Sequence, residues 1–294
     1  MKVLVTGAGG QLGLDLVDAY EGHEVVGLTH ADLDVADEAA VLGTVTDHEP
    51  DLVVNSAAWT AVDACESDPD RAHAVNALGP WWLARACHLV GATLVHISTD
   101  YVFDGVGFVG MDGQRRPYDE LDPVRPINVY GRSKAFGERL VRETLREHHI
   151  VRTAWVCGAR GNNFVRTMLR VGREHGAARV VDDQIGSPTF TRDLAIAIRE
   201  LSVSGRYGTV HRTNAGACSW HDLAAATFEL AGLDVELTRM SSDELDRPAP
   251  RPSWSVLSAR HATTSGLTPM RHWRDGLADL LEELAERGAE EATA

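Results

Sequence analysis

Lysine is nearly absent: Lys2 and Lys134 are the only two among 294 residues, and every other cation is arginine. Basic residues are few in total, 28 against 43 acidic ones, which leaves a net charge of −15. Such a chain repels a phosphate backbone, so nucleic acid is excluded as a partner. An acidic surface almost free of lysine resembles proteins of salt-loving organisms, in which dissolved salt screens the self-repulsion. An acidic enzyme from a GC-rich genome has the same composition. No apolar run reaches the ~18 residues needed to cross a bilayer, so no membrane association is expected. A basic segment leading into an apolar stretch is missing as well, and Met1–Thr6 reads as a strand rather than a signal peptide. Cysteine is scarce: Cys65, Cys87, Cys157 and Cys218 are widely spaced, with no Cys-x-x-Cys pair. That pattern holds neither a zinc site nor a disulfide framework, so no metal and a cytoplasmic location with reduced thiols are expected.

What is present is a repeating alternation. Lys2–Thr6, Glu24–Leu28, Asp51–Asn55, Thr93–Ser98 and His149–Thr153 are short apolar runs that read as strands. Between them, Leu14–Tyr20, Ala39–Asp47, Arg71–Leu89 and Ser133–Arg146 have helical periodicity. Strands and helices alternating at this spacing predict an α/β protein, a Rossmann-type doubly wound parallel sheet. After Trp155 the pattern loosens. Phe164–Glu174, Thr191–Ser202, Trp220–Ala231 and Trp273–Arg287 read as helices, Arg179–Val181 as extended, and Gly288–Ala294 as a frayed tail. The expected division is a dinucleotide-binding unit of residues 1–155, with 182–216 returning to it. Residues 156–181 and 217–290 then form a smaller C-terminal α/β substrate lobe.

The segment Gly7-Ala8-Gly9-Gly10-Gln11-Leu12-Gly13 follows the first strand and opens the first helix. Glycines let the backbone approach a pyrophosphate, and the helix start offers free N–H groups and a positive dipole end. At the first strand–helix junction this predicts a dinucleotide site. The second strand ends Gly27-Leu28-Thr29-His30, with no carboxylate to hold adenosine ribose hydroxyls. Thr29 and His30 suit a 2′-phosphate, although no arginine sits there, so the reading leans to NADPH over NADH. Asp34 and Val35 are expected to border the adenine. Asp32, Asp34 and Asp37 also read as a solvated acidic loop.

Tyr130 and Lys134 stand at i and i+4, on one face of a helix. A nearby cation favours the phenolate and brings the tyrosine pKa down from about 10, so that the phenol can protonate a carbonyl oxygen as hydride reaches carbon. A lysine kept in an arginine-dominated chain strengthens this pairing. Ser98 and Thr99 end a strand, where open α/β sheets bind ligands, and one of their hydroxyls can orient the carbonyl.

Together these features resemble the extended short-chain dehydrogenase/reductases, and in particular the dTDP-4-dehydrorhamnose reductase family. The resemblance is carried by Gly10–Gly13, Asn55–Asp63, Ser98–Gly105, Asn128–Lys134, Arg152–Val156, Gly161–Phe164 and Asp183–Thr189, and it spans nearly the whole chain. It implies NADPH- or NADH-dependent reduction of the 4-keto group of a nucleotide-linked 6-deoxysugar. It implies that Thr99 orients the carbonyl, Tyr130 donates the proton and Lys134 supports it. Gly7, Gly10, Gln11, Leu12, Gly13, Asp34, Val35, Ala57 and Ala58 would hold the cofactor beside Tyr130 and Lys134. Asp100, Tyr101 and Trp155 would line the sugar, with Asn163, Gln184 and Arg192 toward the nucleotide end. Asn76 is either an anchor for a relay water or a polar residue of the helix surface. Asp15 matches one carboxylate of an interface metal seen in some relatives, and a homodimer is one possible assembly. Two features depart from the family pattern: Ser56 replaces an alanine, and the loop containing Gly105–Arg116 is long enough to alter sugar choice.

Two other readings stay open on sequence alone. Sugar-nucleotide epimerases and dehydratases share the superfamily. A dehydratase uses a Thr-Asp-Glu run, whereas Thr99-Asp100 is followed here by Tyr101. The β subunit of methionine adenosyltransferase, an NADP-binding regulatory protein, also resembles these reductases and retains the Tyr–Lys pair.

Overall fold

Six short runs of β-branched and apolar residues meet in one parallel sheet. They are β1 (Lys2–Thr6), β2 (Glu24–Leu28), β3 (Leu52–Asn55), β4 (Thr93–Thr99), β5 (His148–Thr153) and β6 (Gly208–His211), ordered β6-β5-β4-β3-β1-β2. Every neighbouring pair is parallel. The computed structural model describes residues 1–111 and 113–293, with side chains through Gly288. The interior strands β3 and β5 are buried at every position, while edge strand β2 is partly exposed. That burial explains why β3 reads as a continuous apolar run, Leu52-Val53-Val54, rather than an alternating one.

Both faces of the sheet are covered. One carries α1 (Gln11–Ala19) and a later helix, Thr191–Ser202, whose Leu16, Leu194 and Ile198 pack with Val3, Val5 and Val54. The other carries α2 (Glu38–His48), α3 (Gly79–Val90) and α4 (Val129–Thr144), around Leu4, Val53, Leu83, Leu94 and Ile150. The sheet therefore has a switch point: β2 lies to one side of β1 and β3 to the other. Ligands of open α/β sheets bind beyond the strand ends at such a point.

Several boundaries differ from the periodicity. The first helix begins at Gln11, because Gly10 caps it and Gly13 lies within its first turn. The Tyr130 helix begins at Val129, where Asn128 Oδ1 accepts from Gly131 N at 2.7 Å. The single helix expected over Arg71–Leu89 is three pieces: Pro69–His73, a π turn at Ala74–Leu78, and α3. Pro80 has no N–H to return to the preceding turn, and the widened turn faces Asn76 inward. Asn76 is only 1% exposed, so it is not a residue of the helix surface. Strand β6 escapes the sequence reading because Val210 alone marks its apolar side.

The C-terminal part packs Phe164–His175 and Trp220–Leu230 over the parallel pair Ala177–Val181 and Glu236–Met240. The closing helix runs through Thr293 instead of fraying at Gly288. Alanine and glutamate, strong helix formers, fill that end. The loop after Gly105 folds into a hairpin, Phe108–Val109 against Arg115–Arg116. It is tied down by Gly107 N donating to Tyr118 Oη at 2.8 Å and Trp254 Nε1 donating to Arg116 O at 3.2 Å. All four cysteines are free and buried. Among the described residues, no helix is long and apolar enough to cross a membrane.

Candidate active site

Two cavities lie beyond the ends of β1, β3 and β4. One, of about 400 Å³, is bordered by Gln11, Thr99, Asp100, Tyr101, Tyr130, Lys134, Trp155 and Trp220. The other, of about 440 Å³, is bordered by Gly7, His30, Asp34, Val35, Ala57, Trp59 and Arg71. Gly10, Ser56 and Ala58 border both, so they form one continuous cleft. Gln11, Leu12 and Gly13 line the first, as the glycine motif requires.

The turn at the junction has no room for side chains. Gly7 has φ +69°, and a Cβ on Gly13 would come 2.1 Å from Gly7 O. That close packing brings the free N–H groups at the start of α1 to the cleft, a cradle suited to a diphosphate. At the end of the cleft bordered by His30 and Asp34, the hydroxyl that follows β2 is not free. Thr29 Oγ1 donates to Asp32 Oδ2 at 2.6 Å, so this hydroxyl is already committed to a carboxylate. The short Pro69–His73 helix brings an arginine to this end: Arg71 stacks over Trp59 at 4.6 Å and borders the same cavity as His30.

At the other end, strand β4 delivers Thr99 and helix α4 delivers Tyr130 and Lys134. Thr99 Oγ1 donates to Asp100 Oδ1 at 2.9 Å and accepts from Tyr101 N at 3.2 Å. Its hydroxyl also lies beside the Tyr130 phenol. Tyr101 meets Tyr130 edge to face, with centroids 5.5 Å apart. Burial pushes the Tyr130 phenol upward, and neighbouring Asp100 pushes the same way. The expected lowering of Tyr130 by Lys134 is therefore not what these surroundings produce. Lys134 Nζ is aimed at Ile97 O, 2.6 Å away. Lys134 itself is brought down to about 8 by burial, with Glu138 opposing. Glu138 is held by Arg152 Nε and Nη2, at 2.8 and 2.7 Å, and by Ser98 Oγ at 2.6 Å, which pins α4 to β4 and β5. Asp100 is pushed up to about 6 by burial, and its Oδ2 has no hydrogen-bond partner among the described residues.

The far wall is aromatic. Trp155 holds the left-handed conformation, φ +50°, that a bulky residue adopts only under constraint. Its ring lies flat on Trp220, with centroids 3.5 Å apart. Gly186 makes this possible, since a Cβ there would fall 2.4 Å from the Trp155 ring. Trp220 was not singled out by the sequence, where it reads simply as the start of a helix.

The remaining expected site residues are placed elsewhere. Gln184 Oε1 accepts from Trp220 Nε1 at 3.2 Å, behind the aromatic pair. Asn163 caps the Phe164–His175 helix and donates to Gly158 O at 2.7 Å and to Gln11 Oε1 at 3.3 Å, so it steadies Gln11 from outside the cavity. Arg192 is not brought to the cleft at all. It shares a separate cavity with Asp15, Asp18, Arg160 and Glu283, where arginines offset the carboxylates. Asn76 spends its amide on Trp59 O and Ser133 Oγ, and its oxygen accepts from Trp59 N at 2.9 Å, so it braces the loop after β3. None of the described residues of the Gly105–Arg116 loop borders the catalytic cavity. Arg251, unmarked in the sequence, grips Asp63 with contacts of 2.5 and 2.7 Å beside Tyr101.

A parallel sheet with a glycine cradle at its switch point, and a Thr–Tyr–Lys set at the next strand end, define an NAD(P)-dependent oxidoreductase of the extended short-chain dehydrogenase/reductase class. Comparison with known proteins narrows this. The profile of the family described as "RmlD substrate binding domain" matches residues 1–286. A dTDP-4-dehydrorhamnose reductase of Mycolicibacterium smegmatis is 47% identical over 95% of this chain and 84% of that protein. The crystal structure of a dTDP-4-dehydrorhamnose reductase from Clostridium acetobutylicum superposes with a TM-score of 0.93, at 41% identity over 97% of this chain and 100% of that one. The Bacillus anthracis dTDP-4-dehydrorhamnose reductase, solved in complex with NADP, gives 0.91 at 39% identity over 96% and 99%. The chain belongs to the RmlD substrate binding domain family.

Proposed function

We propose that this protein is a reductase that converts the C4 ketone of a dTDP-linked 4-keto-6-deoxysugar to an alcohol, using NADPH. The observation that carries the reading is the convergence of Thr99, Tyr130 and Lys134 on one cavity that opens onto the glycine cradle and is walled by Trp155 and Trp220. The residues of the cleft fit the cofactor: a diphosphate meets the crowded Gly7–Gly13 turn, and an adenosine end lies among Asp34, Val35 and Arg71. Bound there, the cofactor supplies a hydride. Thr99 orients the ketone oxygen, and Tyr130 gives that oxygen its proton as the C=O π bond is lost, so one proton is consumed per turnover. Lys134 holds the proton balance at the base of the pair. Trp155, Tyr101 and Asp100 form the sugar wall, and Gln184 and Asn163 support it from outside.

In this reading residues 1–155, with 182–216, bind the cofactor, and the lobe of 156–181 and 217–290 holds the substrate. Arg71 and His30 take the 2′-phosphate. The lysine-poor acidic surface and four free thiols favour a salt-adapted enzyme of the cytoplasm, and a homodimer is the assembly we propose.

The test is NADPH consumption against dTDP-linked 4-keto-6-deoxysugars. Tyr130→Phe is expected to slow turnover by roughly 100-fold or more, while the Kd for NADPH stays within about threefold of wild type, a small change in binding free energy. A variant that turns over at the wild-type rate would refute the mechanism. A wild-type protein that consumes no NADPH with any of these sugars would refute the activity.

A further inference from the structure

His96 lies in β4 just below the catalytic residues, fully buried, with polar groups on both sides. On one side is Asn55, at the end of β3. Asn55 Oδ1 accepts from Thr6 Oγ1 at 2.8 Å and from Ala57 N at 3.1 Å, which fixes it as the carbonyl oxygen. The amide nitrogen therefore faces His96 Nδ1, 3.1 Å away. That nitrogen can only donate, so Nδ1 accepts and the imidazole proton sits on Nε2. Nε2 faces Lys134 Nζ at 3.5 Å.

An ammonium has no lone pair, so an N–H turned toward it is a donor facing a donor. An uncharged amine has one lone pair that this N–H can meet. We propose that His96 is a positioning residue of the reductase: locked by Asn55 as a neutral imidazole with its N–H toward Lys134, it favours the amine form of that lysine. The inference rests on Lys134 belonging to the catalytic set.

The other charged neighbours leave room for this effect. Glu138, on the same helix, pulls toward the ammonium, but its carboxylate is already gripped by Arg152 and Ser98. From β5 His148 faces His96, and together with burial and Lys134 it keeps His96 well below its ordinary value, hence neutral. Tyr130 shares the helix with Lys134 and is itself pushed upward. No carboxylate pairs directly with Lys134 Nζ among the described residues. Burial already brings Lys134 down to about 8, so His96 acts on a group balanced near the working pH. Asn55 also holds Ala57 N, so the lysine's proton count is linked through two side chains to the loop that borders the cofactor cleft.

The scarcity of lysine supplies the experiment. With Lys2 and Lys134 the only lysines, protein labelled with ¹³C at lysine Cε gives two signals, and the Lys2→Arg variant identifies Lys134. In the whole protein, the Lys134 signal is expected to titrate near pH 8. In His96→Phe it should move up by about one unit, a tenfold change in the amine-to-ammonium ratio. The limb of the turnover–pH profile that follows Lys134 should move with it. An unmoved Lys134 titration in a folded His96→Phe protein would overturn the proposal. Should that variant fail to fold, ¹⁵N spectra of the wild-type imidazole decide: a proton on Nε2 supports the assignment, and a proton on Nδ1 overturns it. Lys134→Met separates the underlying assignment. If it keeps full turnover while the coupling to His96 is seen, Lys134 is not catalytic: the mechanism and the positioning role of His96 fall, and only the His96–Lys134 proton coupling stands.

Discussion

Arg71 reaches the adenosine end of the cleft from a helix far along the chain from β2, and no local pattern announces it. Its guanidinium lies over the Trp59 ring, and we propose it as the 2′-phosphate cation that the end of β2 lacks. Arg71→Ala is expected to weaken NADPH binding by about tenfold or more, the scale of a lost charged hydrogen bond, while NADH affinity changes by less than about twofold. Equilibrium titration by nucleotide fluorescence measures both. Asp100 permits a second prediction. Its folded-state pKa, about 6, stands above the ordinary 3.8 because burial penalises the charge. A raised carboxyl contributes most below pH 3.8, where it is protonated in both states, and that contribution is lost as pH rises through about 6. Asp100→Asn should therefore stabilise the protein at pH 8 relative to wild type, by on the order of 2–3 kcal/mol, and much less at pH 4.5. Urea melts at the two pH values give the comparison; an equal difference at both would refute it.

At the scale of elements, the glycine turn and the strand ends were legible because their chemistry is local. Gly7 and Gly13 must be small where the chain turns, and Thr99 and Tyr130–Lys134 sit in motifs a few residues long. Elements set by distant partners were not legible. The Arg71–Leu89 stretch has an unbroken helical period, yet Pro80 and the inward Asn76 make a π turn of its centre. Strand β6 exists because β5 is there to pair with it. Arg192 was expected toward the nucleotide end from the family resemblance, but it borders a separate cavity with Asp15 and Glu283. Gly186 belongs with these non-local effects. A methyl there would collide with the Trp155 ring, so Gly186→Ala should break the Trp155–Trp220 stack. Near-ultraviolet circular dichroism in the tryptophan region is expected to lose intensity, and KM for the sugar to rise more than kcat falls. Retained intensity with unchanged KM would show that the stack is not a substrate wall.

For the whole molecule, the net charge of −15 is spread over a surface whose ion pairs are mostly exposed and individually weak. Self-repulsion then acts against the compact state, and it fades as the Debye length shrinks from about 10 Å at 0.1 M salt to about 3 Å at 1 M. The thermal midpoint is expected to rise by several degrees between 0.1 and 2 M potassium chloride, followed by circular dichroism. A flat or falling midpoint would count against salt adaptation.

The four buried cysteines give the molecule a built-in clock. Burial holds Cys65 and Cys157 at about 11, and Cys87 and Cys218 at about 12, so almost no thiolate exists at neutral pH to attack a bulky aromatic disulfide. The four sulfurs lie in three packed clusters: Cys65 with Tyr130, Cys87 beside the sheet with Leu83 and Leu94, and Cys157 and Cys218 together with Leu223 and Trp273. The rate at which each becomes labelled therefore times the opening of its own cluster, and the order of labelling reads out which part of the protein lets go first.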